Sequence, residues 1–263
     1  METGHKLNKN ATNKSGVRSD YLYGNILDQK RYIFALKYVH NKTVLDCACG
    51  VGWGSFLMAN AGAKGVYGID ISESAIRSSR KYFNHENITY KKCDPYDLSQ
   101  DYKFDLITSF ETIEHVENPL RFLKSLRQLS QKNTILLLST PNAYCFKYKD
   151  HKPYNPYHLN EFSKDELDKM FFESDWVVQK YLGQFPISKK SHMINKYRKF
   201  IRQYWKYNKL IKTYKLPAKL ILKLLIKSKF LDLSDPAHLS DCVPCQILVD
   251  KEPAYHYYVL IAE

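Results

Sequence analysis

Apolar positions along the first two-thirds of the chain switch repeatedly between two spacings. Compact runs rich in β-branched or aromatic side chains fall at 43–48, 65–70, 88–92, 104–110 and 134–139, and each predicts a buried strand. Between them, 53–63, 74–84 and 118–129 carry apolar residues at helical spacing, with Ser72 and Asn118 followed by Pro119 as helix-start signals. A further helix is predicted over 28–39, where Ile33, Leu36 and Val39 recur beside Tyr32. Alternation of this kind builds βαβ units, hence a parallel sheet covered on both faces: an α/β, Rossmann-like, doubly wound fold. A helix over 163–172, opened by Ser163 and Asp165, then a sixth strand over 176–182 and a seventh over 255–261 complete the pattern.

The last two strands stand about seventy residues apart, too far for a turn, which predicts an inserted subdomain. The expected division is a core of 1–183 plus 251–263 and a basic helical insertion of 184–250. Within the insertion Tyr197, Ile201, Tyr204 and Asn208 recur at helical spacing opposite Arg198, Lys199, Arg202, Lys206 and Lys209. A second helix over 217–228 is apolar apart from a stripe of Lys219, Lys223 and Lys227.

Composition narrows the class. With 263 residues, 44% hydrophobic and 25% charged, the chain is one large globular domain or a domain plus an appendage, neither disordered nor fibrous. Its net charge of +13 is localised: residues 189–230, opening at Lys189 and closing at Phe230, hold fourteen Lys or Arg and no acidic residue. The rest carries 26 basic against 27 acidic residues, so a polyanion or an anionic membrane surface would be met by that segment. The first sixteen residues are polar, without the apolar stretch of a secretory signal, and no run reaches the ~18 apolar residues of a membrane span. A cytoplasmic chain is expected, peripheral at the inner membrane face if the basic segment meets lipid, with its six cysteines reduced. Cys242 and Cys245 are half of a zinc motif that lacks a matching second pair.

The chemistry concentrates after the first strand. Asp46 precedes a glycine-rich turn, Gly50-x-Gly52-x-Gly54, that opens a helix, and Asp70 closes the second strand. Glycines let the backbone turn sharply and approach a ligand, while an acidic residue about twenty positions on can accept two ribose hydroxyls. A nucleoside cofactor is implied. The spacing departs from the G-x-G-x-x-G of dinucleotide sites, which argues against a dehydrogenase. Asp46 can also anchor the turn through backbone amides, and Gly54 can serve close helix-to-strand packing. Glu111, Glu114 and His115 follow the fourth strand at i, i+3, i+4 spacing, which clusters three side chains if that segment turns helically. With His158 they would make a Glu/Glu/His/His site able to hold a divalent ion such as Mg, and His115 and His158 are candidate general bases because imidazole titrates near neutral pH.

These motifs resemble those of class I S-adenosylmethionine-dependent methyltransferases. The likeness is carried by the glycine turn, by Asp70 and Ile71, by Cys93-Asp94-Pro95-Tyr96 and by Phe104-Asp105-Leu106-Ile107, and it covers 20–183 and 255–263. It implies S-adenosylmethionine as cofactor and a seven-stranded sheet with its last strand antiparallel. It also implies that Asp70 holds the ribose, that Asp94 and Pro95 hold the adenine, and that Ile71 and Phe110 line the cofactor. Arg31-Tyr32, the run from Ser109 to Val116, Ser139-Thr140-Pro141-Asn142 and the run from Asn155 to Ser163 are similar to methyltransferases of bacterial capsule and O-antigen biosynthesis. Wider relatives are ubiquinone-pathway O-methyltransferases and enzymes that 2′-O-methylate small RNAs. The chain departs in Cys47 and Cys49 around Ala48 and in Trp53 where tyrosine is usual. The resemblance implies transfer to an oxygen of a carbohydrate or phosphorylated carbohydrate. An RNA 2′-O-methyltransferase with a divalent metal and a non-catalytic cofactor-binding or membrane-adaptor protein are the alternatives. Arg31 would pair with the cofactor carboxylate or lie solvated on the surface.

Overall fold

Four consecutive buried residues, Val44, Leu45, Asp46 and Cys47, are what a strand enclosed on both faces requires. They lie in β1 (Thr43–Cys47) of a computed structural model that describes residues 26–143, 157–184, 245–246 and 257–263. The other strands are β2 (Gly65–Asp70), β3 (Ile88–Lys92), β4 (Phe104–Phe110), β5 (Ser130–Pro141), β6 (Val178–Gln184), β7 (Cys245–Gln246) and β8 (Tyr257–Ala262). The helices are α1 (Ile26–Ala35), α2 (Trp53–Asn60), α3 (Glu73–Tyr82), α4 (Pro119–Gln128) and α5 (Lys164–Glu173).

The strands form one sheet in the order β3-β2-β1-β4-β5-β8-β6-β7. β1 to β5 pair in parallel, and β8 runs antiparallel to both β5 and β6, so β6 points the same way as β5. This is the expected seven-stranded order with an antiparallel last strand, extended by one short strand. Cys245 and Gln246 fall in the segment expected to be helical, yet they pair with Gly183 and Leu182 and cover the end of an otherwise open edge. Cys245 is thereby part of the sheet. Cys242, the insertion helices and the fourteen cations of 189–230 lie outside the described residues. Among the described residues no helix is long and apolar enough to cross a membrane.

Alternate side chains supply two cores. Leu45, Ile107, Leu136 and Leu138 pack with Phe122, Leu123 and Leu126 of α4 and Leu167 and Phe171 of α5. Val44, Val66, Leu106 and Leu137 meet Phe34 of α1 and Met58 and Ala59 of α2 on the other face. Each such side chain contributes about 1.5–3 kcal/mol on burial. Helix starts follow the sequence signals: Ser72 accepts from the Ala75 amide, Asn118 from the Arg121 amide, and Ser163 forms a capping box with Glu166. Helix ends are earlier than the periodicity predicts. α1 tightens into a 3-10 turn at Leu36–Tyr38, and α2 stops where Gly62 adopts φ +97°. β5 begins earlier than the apolar run, at Ser130, with a register irregularity against β4. Every parallel strand therefore delivers its C-terminal end, and the loop after it, to one edge of the sheet, where ligands of such sheets bind.

Candidate active site

The turn after β1 reverses within five residues because three of them, Ala48, Gly50 and Gly52, adopt left-handed φ of +62°, +55° and +84°. At Gly52 a Cβ would lie 2.6 Å from both Ser79 Cβ and the Tyr90 hydroxyl, whereas at Gly50 it would meet nothing within 4 Å. The turn is thus packed below and open above. Asp70 fastens it: one carboxylate oxygen accepts from the Gly50 amide at 2.8 Å and the other from the Ser72 amide at 2.8 Å. Burial raises the Asp70 pKa and the two amide bonds oppose that. Each oxygen keeps a second lone pair, so the carboxylate suits a pair of vicinal hydroxyls. Ile71 beside it is 65% exposed, an apolar surface next to the turn. The Cys93 amide donates to the Asp70 carbonyl, and Asp94 accepts from the Tyr96 amide to open the 3-10 turn Pro95–Asp97. The residues expected to hold ribose and adenine therefore stand on neighbouring strand ends, and these donors, acceptors and apolar faces fit a nucleoside.

Asp46 works beneath this surface. Its carboxylate is 1% exposed and accepts from three hydroxyls: Tyr32 at 2.9 Å, Thr108 at 3.0 Å and Ser55. The expected anchoring through backbone amides of the turn is replaced by side-chain bonds that tie α1, α2 and β4 together. Burial raises its pKa to about 6 against those hydroxyl bonds. Tyr32 sits edge-on to Phe110 at 5.0 Å and to Trp53 at 6.0 Å, which places Phe110 in the packing behind the turn. Gly54 serves a helix-to-helix contact and not the expected helix-to-strand one, since a Cβ there would lie 2.1 Å from the Tyr32 ring.

Arg31 is fully buried, which excludes a solvated surface arginine. Its Nη1 lies 2.7 Å from Asp28 and 3.3 Å from Glu111, and its Nε donates to Gln184 at 2.8 Å. The guanidinium thereby joins α1 to the ends of β4 and β6. Glu111 turns toward it because its backbone is left-handed, φ +53°, with its amide donating to the Ser139 carbonyl and its carboxylate accepting from the Ser139 hydroxyl at 2.8 Å. Burial raises the Glu111 pKa and Arg31 opposes the shift.

That left-handed residue corrects the expected four-residue cluster. Helical spacing begins only at the 3-10 turn Ile113–His115, so ligand atoms of Glu114, His115 and His158 come within 4.8 Å of one another, and Glu111 is not among them. The loop bearing His158 is stitched down by the Leu159 and Asn160 amides donating to the Glu114 carbonyl and by the Asn160 side chain donating to the Val116 carbonyl. The two imidazoles lie edge-on with centroids 4.9 Å apart. His115 Nδ1 is 2.9 Å from the Tyr157 carbonyl, and His158 Nδ1 is 3.0 Å from Glu161. Burial and the neighbouring His115 lower the His158 pKa to about 4, and burial raises Glu161 to about 7. Glu114 is buried: one oxygen accepts from Thr140, and the other has no hydrogen-bond partner among the described residues. Burial, then the charge of Glu111, push its carboxyl well above the usual range. An orphaned carboxylate oxygen beside two imidazoles is a donor set that suits a divalent ion. Tyr32, Ser55, Thr108 and Glu161 are the supporting residues that sequence reasoning missed. Tyr32 left a signal in the Arg31-Tyr32 motif and Glu161 in standing three residues after His158; Ser55 and Thr108 left none.

Residues 21–181 match a family of methyltransferase domains. A probable S-adenosylmethionine-dependent methyltransferase of Mycobacterium tuberculosis is 28% identical over 144 residues, 55% of this chain and 52% of that protein. A ubiquinone biosynthesis O-methyltransferase of Glaesserella parasuis is 36% identical over 128 residues, 43% of this chain and 54% of that one. The chain thus spans about half the length of the curated relatives it matches. The crystal structure of an S-adenosylmethionine-dependent methyltransferase from Mesorhizobium loti superposes with a TM-score of 0.55 at 16% identity, covering 90% of this chain and 99% of that one, a likeness of fold. With the family match running over more than half of its residues and laid on this strand order and this glycine turn, the chain belongs to the methyltransferase-domain family, of the class I, S-adenosylmethionine-dependent kind.

Proposed function

We propose that the protein transfers a methyl group from S-adenosylmethionine to an oxygen of a surface-carbohydrate precursor, of capsule or O-antigen type, at a sugar hydroxyl or phosphoryl group. The observation that carries an oxygen acceptor is the Glu114, His115, His158 cluster on the same sheet edge as the glycine turn and Asp70. The cofactor, when bound, supplies an electrophilic methyl on its sulfonium. Asp70 would accept the ribose hydroxyls, and the turn at Gly50 leaves room for the rest. Burial keeps His158 neutral at neutral pH, so it can take the proton that an attacking hydroxyl must lose. With a divalent ion held by Glu114, His115 and His158, the ion would acidify a hydroxyl bound to it and His158 would act as a ligand in place of the base. The likeness to ubiquinone O-methyltransferases supports oxygen as the acceptor atom.

The carbohydrate part rests on the sequence resemblance and on charge. Fourteen cations in 189–230 follow β6, whose last residue Gln184 bonds Arg31. They would suit a phosphorylated or lipid-linked glycan and a cytoplasmic protein held at the inner membrane face, at about 1 kcal/mol per cation near anionic lipid. A second reading, an RNA 2′-O-methyltransferase, is favoured by the same Glu/His/His cluster together with the basic segment.

The test is methyl transfer from radiolabelled cofactor into cell extract separated into lipid-linked glycan, nucleic-acid and small-molecule pools, with and without a chelator. Label in the glycan pool is expected. Label in nucleic acid selects the second reading, and cofactor binding without transfer to any pool selects a non-catalytic adaptor.

A further inference from the structure

The hydrogen bonds around the two imidazoles fix more than their position. A backbone carbonyl only accepts, so His115 must donate to Tyr157 from Nδ1. An ionised carboxylate also only accepts, so once Glu161 has lost its proton His158 donates to it from Nδ1. In both neutral rings Nε2 is then the atom with the free lone pair. We propose that Glu161 is a positioning residue for His158, holding it as the Nδ1–H tautomer so that Nε2 is the nitrogen available to an acceptor proton or a cation. The assignment deepens the function proposed above and rests on His158 acting on the acceptor hydroxyl.

The surroundings support it. The Glu161 side chain is 3% exposed, and its other oxygen is buried with no hydrogen-bond partner among the described residues. Among the described residues its one side-chain hydrogen bond is to His158. Two edge-on imidazoles that each carry a lone pair on Nε2 have no proton of their own to share through those atoms. Each ring can therefore receive a proton or a divalent ion at Nε2 without a tautomer change. The same logic orients histidines in metal and acid–base sites generally, where loss of the outer partner costs about 10–100-fold.

Long-range proton–nitrogen correlation on the 15N-labelled full chain, treated with a chelator and held above about pH 8 so that Glu161 is ionised, reads the tautomer directly. His158 is expected with Nδ1 protonated and Nε2 bare; a protonated Nε2 in the wild-type protein overturns the assignment without any variant. Glu161→Gln can donate its amide to Nδ1, so the Nε2–H form should gain population and kcat should fall about tenfold with the KM for S-adenosylmethionine unchanged. Wild-type tautomer and wild-type kcat in that variant would refute the positioning role. A shifted tautomer with unchanged kcat would retain it and instead remove His158 from acceptor activation.

Discussion

One methyl group at position 54 should loosen the whole end of the sheet that carries the glycine turn. In Gly54→Ala the new Cβ would stand 2.1–2.4 Å from three atoms of the Tyr32 ring, well inside contact distance. The ring cannot retreat cheaply. Its hydroxyl donates to Asp46, and its edges meet Phe110 and Trp53. Overpacking of this kind costs about 1–3 kcal/mol, and pulling the hydroxyl from a buried carboxylate adds about 1–3 kcal/mol. Against this, alanine is the better helix former by about 1 kcal/mol. The net expectation is a loss of about 1–5 kcal/mol, read in urea as a lower midpoint at unchanged slope, together with weaker S-adenosylmethionine binding by calorimetry because α2 is displaced from its turn. Gly65→Ala is the control: a Cβ there meets nothing within 4 Å, and its midpoint should stay within about 0.5 kcal/mol of wild type. In a Tyr32→Ala background the Gly54→Ala penalty should vanish. A Gly54→Ala protein as stable as wild type would refute the reasoning.

Other consequences follow from the same geometry. Asp70→Asn gives up an acceptor for the Gly50 or Ser72 amide, and cofactor affinity should drop at least about tenfold, about 1.4 kcal/mol; an unchanged Kd by calorimetry would remove Asp70 from the site. Glu114→Ala should weaken binding of added Zn2+ or Mn2+ by at least about tenfold, and equal affinity would show that the ion sits elsewhere. Asp46, raised by burial from 3.8 to about 6, binds its proton more tightly folded than unfolded. Stability should therefore rise, by up to about 3 kcal/mol, as pH falls from 6 toward 4, and a carbon-13 titration of its carboxyl should show a midpoint near 6; a midpoint near 4 would contradict the burial argument. His158, lowered from 6.5 to about 4, has the opposite sign: its contribution is lost as pH falls through that window, so His158→Gln should flatten the acid side of the stability profile.

The fold was legible because each central strand is enclosed on both faces and so appears as a compact, mostly apolar run, as in Ile135–Leu138 of β5. The glycine turn and Asp70 were legible because one strand separation sets their spacing. What escaped depends on contacts between distant elements or on single backbone angles. The three hydroxyls on Asp46 come from Tyr32, Ser55 and Thr108, on α1, α2 and β4, and no local pattern relates them. Glu111 fitted a helical spacing on paper, but its φ of +53° sends its carboxylate to Arg31. The partner of His115 is a backbone carbonyl, which no residue type announces.

The place of β8 between β5 and β6 also bears on how the chain is made. During synthesis β5 leaves the ribosome with an open edge that can close only when Tyr257–Ala262 emerges, on the order of a hundred residues later, so the pairing is strongly non-local. Until then β6 has no strand joining it to β5, only the two-residue β7 on its far side, and Gln184 is not held against Arg31 by the sheet. The nascent core must wait with an exposed strand edge, the condition under which chains mispair. A stall within the basic segment would leave β1 to β5 paired and β6 to β8 unassembled.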